Sequence, residues 1–369
     1  MHRGTGDRNT LPVPEARINA PRRVSALTTE ATDRWSPKWY GRAVNRAALT
    51  LALLFTSVAT AQESVAVRGT AVSLERAGEA PVRTLGPFEF VAGLKLQSDD
   101  PRFGGISGMV LVDSGSALLA VSDNGRLFHL PLVRDATGKL TGVGPATTYA
   151  IAAAGGAALD RGEGDSEELQ LLPDGRLLVS FEHHHRLATI GQLDSLKAAT
   201  ERPFATPKGI ELAPKNGGLE ALFARADGSV LAIREKPLSH DGKHAAWLIR
   251  EAPEKSETLY YWAKDGFQPT ALAPLAGGDL LGLERRYTIL DGIAARLVRF
   301  PASAIAAGAQ VQTTELGRFT TAMICDNFEA MATEPARAGR GATTVFIASD
   351  DNFNPAQHTY LLQFTLPGP

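Results

Sequence analysis

A single cysteine, Cys325, occurs in the chain, so no internal disulfide can form and the fold must be held by a packed core. Charge of one sign is missing as well: 38 Lys and Arg face 40 Asp and Glu among 369 residues, which excludes the basic footprint of a nucleic-acid binder. Long apolar runs are absent, since the stretch from Ala47 to Val58 falls short of the ~20 residues that a membrane-spanning helix needs. After residue 62, apolar residues almost never recur at helical spacing, which argues against a parallel α/β fold. Familiar catalytic motifs are missing too. Ser107 lies in "GGISGM", where a glycine follows it directly, so there is no G-x-S-x-G elbow, and neither H-E-x-x-H nor a P-loop occurs.

What is present begins with an address. In "GRAVNRAALTLALLFTSVATAQES", Arg42 and Arg46 precede the apolar run, and Ala59-Thr60-Ala61 follows it, the pattern of a signal peptide cleaved near Ala61. Residues 1–61 carry nine basic and four acidic residues, so the remainder has 29 against 36 and a net charge of about −7. The expected product is an acidic periplasmic or secreted protein with no membrane span after cleavage. The expected organisation is a leader over 1–61, a linker over 62–84 and one domain over 85–369.

Within that domain a pattern recurs. It starts at "GGISGMVLVDSGSALLAVSDNG" (104), "DSEELQLLPDGRLLVSFEHHHR" (165), "NGGLEALFARADGSVLAIREK" (216), "QPTALAPLAGGDLLGLERRY" (268) and "DNFEAMATEP…TTVFIASDDNF" (326). Each unit has a short alternating strand, a turn built on Gly, and a second strand rich in Leu, Val, Ile and Ala, which is the signature of a hairpin. Further strand-like runs follow each hairpin, and the starts lie about 50 to 60 residues apart, the size of one propeller blade. An all-β propeller is expected, with five repeats counted and a sixth blade possible within 133–165. The run "GPFEFVAGLKL" at 86–96 has no hairpin partner of its own, and is expected to close the ring as the outer strand of the last blade.

The start of the first strand and the end of the second lie side by side in a hairpin. Those positions pair Ser107 with Asp123, Glu168 with Glu182, Glu220 with Glu235, Thr270 with Glu284, and Glu329 with Asp350. If the first strands line the central axis, their acids converge at one mouth. Gathered carboxylates are costly unless a cation or protons share them. Oxygen donors favour a hard ion, Ca²⁺ ahead of Mg²⁺, and the expected ligands are Glu168, Glu220, Glu329, Asp350 and Asp351. The cationic neighbours Arg186, Lys236, Arg285 and Arg286 are candidates to neutralise an anionic transition state, although alternating charges also pair weakly on plain surfaces. "EHHHR" does not make a zinc site, because on a strand only His183 and His185 would share a face and no second His cluster exists. The loop "DRGEGDSEE" at 160–168 lacks EF-hand spacing and reads as a solvated loop or a casual calcium site.

These blocks, above all "DNFEAMA" and "IASDDNFNPAQHTYLLQF", resemble the phytase-like family, described by an esterase-like activity, over roughly residues 85–369. The resemblance implies a propeller, a bacterial exported protein, and hydrolysis of phosphate esters or simple carboxylic esters. Where related blocks read Asp-x-Glu-Gly, this chain has "DSEELQ" and "NFEAMA", with Glu168 and Glu329 kept and the glycine replaced. Two readings follow. In one, a metal-activated water attacks a small-molecule ester or phosphate at the acidic mouth. In the other, the propeller is a non-catalytic periplasmic binding platform with structural calcium. A calcium-centred lactonase is a third.

Overall fold

A computed structural model describes residues 62–160, 162–251, 255–335 and 341–368. The signal-peptide reading lies outside them. The described residues are almost wholly strand and turn, with helix limited to four short 3₁₀ turns. No helix among them is long and apolar enough to cross a membrane.

The strands form five sheets in a β-propeller arrangement. Each recurring hairpin supplies the two innermost strands of one sheet. The inner strands are Ile106–Val112, Ser166–Leu171, Leu219–Ala224, Gln268–Pro274 and Asn327–Glu334. Each packs beside the inner strand of the next sheet, and the fifth returns to the first, so the five surround a common axis. Outward from each, the next two strands follow antiparallel and in chain order, as the short turns require. The alternation of the sequence explains the packing. Leu177, Val179 and Phe181 of the second sheet face Leu119, Val121 and Leu127 of the first in one core layer. Further layers fill the other gaps between sheets, and each fully buried Leu, Val or Phe contributes roughly 1.5–3 kcal/mol.

The ring closes as the sequence suggests. Phe88–Gln97 lies antiparallel to Thr359–Leu366, with Leu94 opposite Leu361, so the N-terminal side of the domain completes the last sheet. Two expectations change. Residues 62–84 are not a linker: Glu63–Val65 pairs with Ala146–Thr148, and Arg68–Val72 adds a further strand outside Phe88–Gln97. These polar, short segments are edge strands, whose exposure conceals the alternation that marks a strand. The described residues of 133–165 build no sheet of their own, because Leu140–Val143 and Ala146–Ala152 join the first one.

Candidate active site

A bulge sits at the same place in all five inner strands. Pairing runs from Ile106–Ser122 to Gly108–Val121, from Ser166–Phe181 to Glu168–Ser180, from Leu219–Arg234 to Ala221–Ile233, from Pro269–Glu284 to Ala271–Leu283, and from Phe328–Ser349 to Ala330–Ala348. One residue is skipped each time: Ser107, Glu167, Glu220, Thr270 and Glu329. A bulged residue is released from the ladder and its side chain re-aimed. Three of these five are glutamates that line a cavity of about 300 Å³ at the end of the axis.

The second strands deliver the other half of the lining. The residues just past their paired ends are Asp123, Glu182 and Glu235, while Arg285 and Asp350 hold the corresponding places in the fourth and fifth sheets. Asp165, at the start of the second hairpin, completes a set of eight carboxylates: Asp123, Asp165, Glu167, Glu182, Glu220, Glu235, Glu329 and Asp350. Among the described residues, only Lys236 and Arg285 oppose them in the cavity wall. Lys236 Nζ donates to Glu235 Oε1 at 2.8 Å and to Gln268 Oε1 at 3.1 Å. Arg285 Nη2 reaches Glu235 Oε1 at 3.2 Å and Glu329 Oε1 at 2.9 Å. Asn327 Nδ2 also donates to Glu329 Oε1 at 2.9 Å and to Asp350 Oδ2 at 3.3 Å. Glu182 Oε1 accepts from Gly218 N–H at 2.9 Å.

The electrostatics follow from this crowding. Burial pushes Glu167 far above the ordinary carboxyl range, and Glu220, Glu182, Asp165 and Glu329 push it further. Glu220 is raised by burial and by Glu235, Glu329 and Glu182, with Arg285 pulling the other way. Asp350 is raised by burial, Glu329 and Asp123. Glu182 is lifted to about 7, chiefly by burial, with the backbone donor Gly218 opposing. Burial works against the charge on Arg285, but Glu329, Glu235, Glu220 and Glu167 outweigh it and hold the guanidinium above its usual value.

The expected site residues divide. Glu220, Glu329, Asp350, Lys236 and Arg285 come together in the cavity. Glu168 does not: the bulge at Glu167 turns it between sheets, where Oε1 accepts from Leu169 N–H at 2.8 Å, and burial raises it as a neutral acid. Asp351 braces a loop instead, accepting from Gly105 N–H at 2.9 Å, Phe353 N–H at 3.2 Å and Thr359 Oγ1 at 3.1 Å. Gly105 must be glycine there, because its φ is +61° and a Cβ would lie 2.1 Å from Asp123 Oδ1. Arg186 is engaged outside the cavity, stacked over Phe181 at 4.0 Å and paired with Glu201. Arg286 lies over Phe267 at 5.1 Å and donates to Asp265 O at 3.1 Å. Glu284 faces Arg296 within the sheet packing, while Arg285 takes the place on the rim. The histidines of "EHHHR" occupy the turn between two strands and not a strand. His183 Nδ1 lies 3.0 Å from Asp165 Oδ2, and His185 Nε2 lies 3.0 Å from Pro214 O. Ser107 has its hydroxyl committed to the Ser166 carbonyl.

Oxygen donors gather in two groups whose atoms lie within 4.8 Å of one another: Asp165, Glu167 and Glu182, then Glu182, Glu220 and Glu235. Such all-carboxylate sets suit a hard divalent ion. The arrangement therefore offers cation binding beside a guanidinium and an ammonium, the charges that an anionic ester requires.

The family model described as phytase-like, esterase-like activity of phytase, matches residues 101–353. The chain belongs to this phytase-like family. No curated protein matches it. Among solved structures it is similar to a candidate gluconolactonase, at 14% identity and a TM-score of 0.39 over 82% of this chain and 100% of that one. It is similar also to an α-L-arabinofuranosidase from Podospora anserina, at 12% identity and 0.40 over 84% and 98%. A protein of unknown function from Dyadobacter fermentans gives 13% and 0.37 over 83% and 96%. Likenesses of this strength carry no argument about activity.

Proposed function

We propose that the protein is a hydrolase of phosphate monoesters or small carboxylic esters that works with a divalent cation, calcium first, at the acidic mouth of the propeller. One observation carries this reading: eight carboxylates converge on a cavity of about 300 Å³ in which Arg285 and Lys236 are the opposing charges. Such a concentration of buried acids is expensive unless cations or protons share it. Family membership agrees with ester hydrolysis.

Glu167, Glu182 and Glu220, with Asp165 and Glu235, would hold the cation. When bound, a divalent ion supplies Lewis acidity toward an ester oxygen and acidifies water. Arg285, clamped between Glu235 and Glu329, meets the negative charge that develops on the substrate, and Lys236 reinforces it from the Glu235 side. Glu329, itself held by the Asn327 amide, anchors the Arg285 guanidinium through Nη2. Exported by the leader read in Arg42–Ala61, the protein would act in the periplasm or outside the cell.

The test is hydrolysis of p-nitrophenyl phosphate and p-nitrophenyl acetate by the purified protein in EDTA and after calcium is restored. Calcium-dependent turnover on either ester supports the reading and separates phosphatase from carboxylesterase. No turnover on both, with a melting temperature that still rises with calcium, moves the assignment to a binding platform with structural metal.

A further inference from the structure

We propose that the mouth holds two divalent cations side by side, bridged by Glu182. One lies among Asp165, Glu167 and Glu182, the other among Glu182, Glu220 and Glu235. The inference rests on the reading of the mouth as a cation-dependent centre and asks how many ions it takes.

Crowding of acids alone would not carry it. The independent observation is that each triad contains one carboxylate with nothing to hold it. Glu167 is 8% exposed and Glu220 is 4% exposed; both line the cavity, and neither makes a hydrogen bond or ion pair among the described residues. With no protein donor on them, both carboxylates present their oxygens to the cavity, where a cation is the partner that suits them. Glu329, equally buried, shows the alternative, since it accepts from Asn327 and Arg285 and belongs to neither triad. The two orphaned carboxylates come from the bulges of adjacent inner strands, and Glu182 stands between them with one oxygen on Gly218 N–H.

Charge counting points the same way. Leaving aside Asp123 and Asp165, which have partners of their own, six carboxylates against Lys236 and Arg285 leave four formal negative charges. One divalent ion would leave two, and it would leave one of the two triads unserved. Two ions bring these groups to formal neutrality. They need not bind equally. Glu235 is already shared by Lys236 and Arg285, so the ion of the second triad meets cations at its edge and binds more weakly. That open, less saturated position is where an anionic ester could complete the coordination, which assigns substrate binding to the side of Glu220 and Arg285.

Mn²⁺ reports both number and proximity. Equilibrium dialysis of the full chain at rising Mn²⁺ should give two ions per chain, one tight and one at least tenfold weaker. Electron paramagnetic resonance should show the six-line signal of the first ion broaden by spin coupling as the second enters. Glu167→Gln should remove the tight site, Glu220→Gln the weak one, and Glu182→Gln should weaken both at least tenfold; the neighbouring Glu168→Gln, outside the cavity, should keep both. These substitutions remove repelling charge, so melting temperatures in EDTA at or above that of the parent confirm that the variants fold. One ion per chain, or two ions without coupling, overturns the bridged pair, and calcium-dependent turnover would then still stand for the hydrolase. Two coupled ions with no turnover on any ester support the pair and defeat the hydrolase. No bound ion, with turnover surviving EDTA, defeats both.

Discussion

Two places in this propeller bury carboxylates, and they handle them in opposite ways. Within the fourth sheet, Glu284 is fully buried, and it accepts from the Tyr261 hydroxyl and, at 2.5 Å, from Arg296 Nε. Arg296 is itself finished off by the Lys264 carbonyl at 3.0 Å and lies over the Phe267 ring at 4.2 Å, while Tyr261 stacks on Phe300. Every strong polar group there has its partner. At the mouth, Glu167 and Glu220 are almost as buried, but their closest charged company is other acids. Burial of a charged residue is therefore a poor guide to function by itself. What distinguishes the two places is whether the protein supplies the counter-charge, and at the mouth it supplies too little.

The largest effect should come from breaking the self-sufficient network. Arg296→Ala strips Glu284 of its ion pair in a dry environment, and the expected loss is about 3–5 kcal/mol of unfolding free energy in a denaturant titration. A loss below 1 kcal/mol would mean that Glu284 simply takes a proton and that the network is not the structural anchor claimed here. The mouth should respond through activity instead. Arg285→Ala is expected to lower turnover of a phosphate ester about 100-fold or more, with Arg285→Lys recovering only part because an ammonium lacks the further planar N–H donors that a guanidinium offers the substrate. Arg186→Ala and Arg286→Ala, whose guanidinium groups are engaged away from the cavity, should leave turnover unchanged. Equal losses in all three would abolish the distinction between rim and surface cations.

The comparison also has a pH signature. Glu182 in the folded chain titrates near 7, against an ordinary value of 4.5. Between those values the folded state keeps a proton that the unfolded chain has released. The stability linked to this group is thus complete below the ordinary value and is lost as pH rises toward about 7, with Glu167, Glu220 and Asp350 raised in the same direction. Melting temperatures of the protein in EDTA should fall across that window, as the unfolding free energy drops by at most about 1.4 kcal/mol per pH unit for each linked proton, and calcium should flatten the fall. A melting temperature that is constant or climbs from pH 5 to about 8 in EDTA would contradict the crowded, charge-poor mouth.

Much of the frame was legible because it depends on local patterns. Alternating runs and glycine turns marked the hairpins, and the unpartnered strand at 86–96 announced ring closure. The register at the hairpin ends was legible only to within one residue. A bulge adds a residue to one strand without leaving any trace in hydrophobic alternation, so Glu168 stood in for Glu167 and Glu284 for Arg285. A constant spacing held the correction: Glu167–Glu182, Glu220–Glu235 and Thr270–Arg285 are each separated by 15 positions. The family frame Asp-x-Glu likewise falls on Asp165-Ser166-Glu167. Asp165 does not stand out in the sequence because five acids in one loop look like a solvated turn, and only the fold shows which of them turn inward. Glu182 and Glu235 were visible as hairpin partners, but their role depends on which inner strands are neighbours around the ring, and that is a long-range fact.

The smallest predicted effect is also the sharpest test of the bulge. Glu167 and Glu168 are consecutive and both buried, and burial raises both above the ordinary carboxyl range. They differ in direction. Glu168 points between sheets, where its neutral form keeps Oε1 on the Leu169 N–H, and an amide can make that same bond. Glu168→Gln should change stability by less than about 1 kcal/mol and leave the calcium-induced rise in melting temperature intact. Glu167→Gln, one residue away, should stabilise the protein slightly in EDTA, by relieving repulsion from Glu220 and Glu182, and should cut the calcium-induced rise. If the two variants behave alike, the bulge does not separate a site residue from a packing residue, and the acidic mouth loses its strongest claim to being built for a cation.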